Sequence, residues 1–240
     1  MCQNFSSTSK QAGRLYTRCR VSTSARRGHS LGICKRAMKD PLMSGAEQIE
    51  NRPFIRILQH PQEKKETLAT AAATCAVLRR ASLVIGLSWP NLTRALGRPA
   101  DPRRWGVLYL GSARPSLLGL DREIIALDRR GEPAADQRAT LSGREGVVLL
   151  DGSWSEAKTL WWRNPWLLKL QRIVLNPPRG SRFNRLRREP RREAMSTIEA
   201  AALLLKHLDS AEVEAVLLRE LERLLAEARP ARRTRKRVSA

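Results

Sequence analysis

Residues Val147 to Lys158 constrain this chain more than any other stretch. Val147, Val148, Leu149 and Leu150 are four apolar residues, two of them β-branched, and read as a short buried strand. The strand ends on a carboxylate, Asp151. Gly152 permits a sharp turn there. Ser153 and Glu156 then have the S-x-x-E spacing of a helix capping box. One acid is thereby presented at the carboxyl end of a strand, beside a fresh helix start. In α/β sheets that edge is where ligands and chemistry are found. The first N–H groups of the helix favour a negatively charged ligand group.

Three further stretches, in order, extend the pattern. Leu58-Gln59-His60-Pro61 with Glu63 has the form L-x-H-P-x-E, and Ser196-Thr197-Ile198-Glu199-Ala200 the form S-T-x-E-A. Between them, Arg182 to Pro190 is rich in arginine. With Asp151-Gly152-Ser153-Trp154, a D-x-T-W element carrying Ser for Thr, these segments resemble the DTW-domain family over roughly residues 53–208. Members of that family transfer the 3-amino-3-carboxypropyl group of S-adenosylmethionine to uridine in tRNA. The resemblance implies the same donor and a tRNA partner here. Serine keeps the hydroxyl of threonine and loses only a methyl. Two departures stand out. The family's N-T-G element corresponds to Ala69-Thr70-Ala71, without the Gly. The family's N-terminal four-cysteine cluster is not matched either, because Cys2, Cys19, Cys34 and Cys75 are widely spaced and form no C-x-x-C pair. No metal is therefore expected, although His29 and Cys34 remain two conceivable ligands of an irregular site. Disulfides are not expected in a chain that reads as intracellular.

Charge supports a polyanionic partner. The formal charge is +22, but residues 1–39 hold nine Lys or Arg and no acid, and residues 229–240 hold six and no acid. That leaves 30 basic against 23 acidic residues between 40 and 228. Residues 179–192 alone contain seven Arg and one Glu, so nearly all of the remaining excess lies in one segment. RNA suits such a patch; a solvated charge run is the plain alternative. Arg182, Arg185, Arg187 and Arg188 offer guanidinium forks for phosphate. Phe183 either stacks on a base or anchors the loop to the core. No apolar run approaches the about 20 residues of a membrane span, so a soluble, cytoplasmic protein is expected.

The organisation predicted along the chain is a basic, poorly ordered extension over 1–50, a catalytic domain over 51–228 and a basic disordered tail over 229–240. Acid-poor, Arg/Ser-rich residues 1–50 also fit an organelle transit peptide, but nothing else marks the chain as organellar. Strands are predicted at 54–58, 83–86, 107–110, 124–127, 147–150 and 172–175. Helices are predicted at 64–79, 153–162, 196–208 and 210–228, with Asp209 and Glu212 opening the last, and 128–146 reads as a surface loop. His60, after the first strand, is either a structural hydrogen-bonding group or a catalyst. Trp154 and Trp161, seven apart, share a helix face; either packs in the core, and Trp154 is also placed to wall an adenine or methionine pocket.

Alternation of strands and helices predicts an α/β fold with a mostly parallel sheet flanked by helices. The resemblance sharpens this to a SPOUT-like fold with a C-terminal knot, which nothing in the pattern itself shows. Asp151 is the candidate general base toward uridine N3, or else only accepts N3–H to hold the uracil edge. Expected contacts to S-adenosylmethionine are Leu110, Gly111, Leu150, Gly152, Ser153, Trp154, Ser196, Thr197 and Glu199. The helix starting at Ser196 suits the donor's carboxylate, while Glu199 either closes a capping box or meets its amino group. A SPOUT-type RNA methyltransferase and a non-catalytic RNA-binding protein are the competing functions.

Overall fold

The computed structural model describes residues 48–63, 69–109, 122–176 and 195–238. Six strands form one sheet: β1 (Phe54–Gln59), β2 (Ala81–Ile85), β3 (Trp105–Leu108), β4 (Ile124–Leu127), β5 (Gly146–Asp151) and β6 (Gln171–Leu175). The helices are α1 (Thr70–Val77), α2 (Leu92–Leu96), α3 (Gln137–Leu141), α4 (Trp154–Arg163), α5 (Thr197–Leu208) and α6 (Ala211–Val238), with 3-10 turns at Pro102–Arg104 and Pro165–Lys169. Strand order is β2-β1-β5-β3-β6-β4, and every pairing is parallel except β4 with β6. The α/β, mostly parallel expectation holds. Buried on both faces, the central strands read as near-continuous apolar runs.

Successive residues of each strand feed opposite layers. Ile55, Ile57, Val147, Leu149 and Ile173 pack with α1, α5 and α6 on one face. Leu58, Val107 and Val148 pack on the other with Leu92, Trp161, Trp166 and Leu167. At the start of β5 the packing is so close that a Cβ on Gly146 would lie 2.5 Å from the Phe54 carbonyl and 2.6 Å from the Trp105 ring. Asn164 ends α4. Fully buried, it donates to the carbonyls of Leu160 and Leu87 and accepts the Trp89 N–H, so the far end of α4 is tied to the loop after β2.

Five details differ from the sequence reading. The first helix is described only from Thr70, residues 64–68 lying outside the described ones. The third strand begins at Trp105, because the indole fills the gap above Gly146. Inside the predicted 128–146 loop, α3 is capped by Asp136, and the Gln137 side chain bonds the β4 backbone at Ala126. Asp209 is no N-cap. It closes α5, its carboxylate accepts the Arg52 N–H at 2.7 Å, and the Ser210 hydroxyl accepts the Val213 N–H instead. The last helix runs past its predicted end at 228. The backbone of α6 continues helical to Val238, where an Ala- and Arg-rich sequence of strong helix formers outweighs the proline.

Candidate functional site

Chemistry gathers at the carboxyl ends of β1 and β5. Parallel pairing places Gln59 directly beside Asp151. The Gln59 amide donates to Asp151 Oδ2 at 2.7 Å. Thr197, the first residue of α5, donates its hydroxyl to Asp151 Oδ1. The Asp151 carbonyl accepts the His60 N–H at 3.0 Å. Asp151 is only 6% exposed, and Gln59 and His60 are buried with it. Unpaired, a buried carboxylate is strongly unfavourable; here each oxygen has a donor. A carboxylate offers about four lone-pair positions.

Gly152 makes the turn out of β5. Its φ is +152°, and a Cβ there would lie 2.8 Å from Glu156 Cβ and 3.4 Å from His60 Cβ. The Ser153–Glu156 capping box forms. Glu156 Oε2 accepts both the N–H and the hydroxyl of Ser153 at 2.7 Å. Its other oxygen lies 3.4 Å from His60 Nδ1, which also sits 3.3 Å from the Gln62 N–H. Burial pushes the Glu156 carboxyl up, but the Ser153 donors and the charge of His60 outweigh it and hold the group below its ordinary value. The second capping box mirrors the first: Glu199 Oε2 accepts the Ser196 N–H at 3.1 Å and hydroxyl at 2.8 Å. Two braced helix starts thus flank one acid.

An aromatic stack stands at the same sheet edge, in the layer opposite Asp151. The Tyr109 ring lies 4.3 Å from Trp161 and 6.4 Å from Trp154 between centroids, tilted by only 15° and 13°. Burial raises the Tyr109 phenol, which stays protonated at neutral pH. Among the sequence-derived candidates, Asp151, Gly152, Ser153, Trp154, Ser196, Thr197 and Glu199 gather at this edge. Leu150 instead packs with the Trp161 and Leu167 layer, on the sheet face opposite Asp151. Leu110, Gly111, Arg182, Phe183, Arg185, Arg187 and Arg188 lie outside the described residues, as do Cys2, Cys19, Cys34 and His29. Cys75 is free, and burial pushes its thiol up to about 12 against the pull of Arg56. Among the described residues no group of three His, Cys, Asp or Glu is placed to hold a metal, and no helix is long and apolar enough to cross a membrane.

Sequence reasoning left Gln59, Glu156 and Tyr109 without a site role. Gln59 reaches Asp151 because β1 neighbours β5, a pairing that local pattern does not encode. Glu156 was visible only as a cap. For Tyr109 the signal was present, a lone tyrosine at a strand end two residues before a glycine.

A mostly parallel sheet that presents a buried carboxylate, two capped helix starts and an aromatic stack at its carboxyl edge defines an α/β protein with a candidate ligand site at that edge. The chain belongs to the DTW domain family, whose model matches residues 32–228. It is 31% identical over 173 residues to tRNA-uridine aminocarboxypropyltransferase 2 of Drosophila melanogaster, covering 71% of this chain and 62% of that protein. It is 26% identical over 205 residues to the Mus musculus protein of the same name, covering 83% and 63%. The chain therefore spans less than two thirds of the length of either relative. No solved structure matches it.

Proposed function

We propose that this chain is a transferase that modifies tRNA, moving the 3-amino-3-carboxypropyl group of S-adenosylmethionine to N3 of a uridine. One observation carries the reading. A buried acid at the end of a central strand is gripped by the first residue of α5, so the D-x-T-W-like and S-T-x-E-A-like segments meet. The names of the relatives support the substrate class. The donor supplies a carbon activated by its sulfonium, and it leaves as methylthioadenosine when the C–S bond breaks and the N3–C bond forms. Asp151 accepts the N3 proton, or holds the uracil by that N–H. Trp154 and Tyr109 offer aromatic faces, which attract a sulfonium as they attract other cations. Ser196, Thr197 and the start of α5 face the donor's carboxylate, with Gly152, Ser153, Leu110 and Gly111 lining the rest and Leu150 contributing backbone. Glu199 serves chiefly as the brace.

The fold is read as SPOUT-like with a C-terminal knot. In support, the chain after β6 returns α5 to β5, two strands away, on the face shared with α1 and α6. The domain is taken as residues 51–228, with flanking basic segments, in a cytoplasmic protein. The test is incubation with tRNA and donor. Methylthioadenosine and an aminocarboxypropylated uridine are expected; S-adenosylhomocysteine and a methylated nucleoside would overturn the reading in favour of a methyltransferase.

Arg182, Phe183, Arg185, Arg187 and Arg188 are proposed to grip the RNA. Replacing Arg185 and Arg188 together by Ala is expected to weaken tRNA binding and to flatten the plot of log affinity against log salt by about 1 to 2 units, since each phosphate contact contributes roughly 0.7–0.9. Titrations at several salt concentrations check this; a wild-type slope places the segment elsewhere.

A further inference from the structure

Helix α4 has two unlike sides. Trp161 turns inward, 9% exposed, onto Tyr109. Its neighbour Trp162 turns outward and is 71% exposed. Indoles seldom stand in water without a partner, since a tryptophan is highly buried on average. Lys158 lies one helical turn before Trp162 and is exposed, as is the adjacent Arg163. The 3-10 turn that follows exposes Leu168, at 65%, and Lys169. Along this stretch the sequence holds no acid between Glu156, which is turned onto Ser153 and His60, and Glu189.

We infer that the outer side of α4 is a second RNA contact, in which an unpaired base stacks on Trp162 while Lys158, Arg163 and Lys169 take the neighbouring phosphates. The inference rests on the transferase reading above and adds a binding surface to it. Cations interleaved with an exposed aromatic make the combination that single-stranded nucleic acid needs, a charged track with a π-face on it. Distance fits as well. Trp162 lies eight residues along α4 from Trp154, about 12 Å at 1.5 Å per residue. That is about three to four stacked nucleotides at 3.4 Å each, so one loop of RNA reaches from the Asp151 edge to this indole.

The full chain with Trp162→Ala, Trp162→Phe or Trp162→Leu is to be titrated with fluorescently labelled tRNA at several salt concentrations, alongside binding of S-adenosylmethionine. Trp162→Ala is expected to weaken tRNA binding roughly tenfold, as loss of one stacked base does, with a wild-type salt slope and unchanged donor affinity. Trp162→Phe is expected to recover most of the loss and Trp162→Leu little of it. Wild-type affinity in Trp162→Ala overturns the inference, as does equal recovery by Leu and Phe, which marks a plain apolar contact. Unchanged tRNA affinity with lost binding to phosphatidylserine vesicles overturns it in favour of a membrane surface. The transferase reading fails separately, if the wild-type chain neither binds tRNA nor modifies it.

Discussion

Asp151→Asn is expected to lower transfer to tRNA by at least a hundredfold, within the about 10²- to 10⁴-fold that a general base contributes, while the protein folds and still binds tRNA. Folding should survive because the cluster can rearrange. An amide at this position presents one acceptor and one donor group. The Gln59 amide can turn its oxygen toward the new donor, and the Thr197 hydroxyl can accept as well as donate. Asp151→Ala is a harsher change: it leaves two buried donors unmatched, a cost of about 1–3 kcal/mol, and confounds stability with chemistry. Steady-state kinetics separate the two roles of the acid. A fall in kcat with unchanged KM for tRNA assigns the proton to Asp151, whereas a raised KM assigns it the uracil edge. Turnover equal to wild type removes it from both.

Gly152→Ala should damage stability and activity together. Its backbone lies at φ +152°, which side chains rarely adopt, and the added methyl would press on Glu156 at 2.8 Å from Cβ and 3.2 Å from Oε2. Backbone strain of this kind costs about 1–3 kcal/mol. Displacing Glu156 also releases the Ser153 brace and shifts His60, so donor affinity is expected to fall at least roughly tenfold, the equivalent of about 1.4 kcal/mol. Gly143→Ala is the control. That glycine also has positive φ, +67°, but nothing lies within 4 Å of the added Cβ. Thermal melts with donor titrations should show both variants destabilised and only the Gly152 variant impaired in binding. Equal donor affinity in the two variants would mean that the brace does not shape the pocket.

What sequence revealed and concealed follows the range of each interaction. The β5–Gly152–α4 unit was legible because its signals are local: an apolar run, a glycine and a cap at fixed spacing. The Ser196–Glu199 cap was legible for the same reason. Concealed were contacts that depend on strand order. Gln59 meets Asp151 only because β1 lies beside β5, and Tyr109 meets Trp154 and Trp161 only because β3 lies on the other side. The helical backbone of α6 runs past the predicted 228 because helix formers beyond Pro230 carry it on.

The grip on Asp151 has an implication for biogenesis. Two of its side-chain partners stand 92 positions upstream and 46 positions downstream in the chain. During synthesis the acid emerges well before Thr197, so the nascent polypeptide lacks that grip. Loop closure over such spans is slow. Competence for catalysis is therefore gained late, when α5 docks, and a ribosome-bound or truncated product should be silent even where its central strands are already paired.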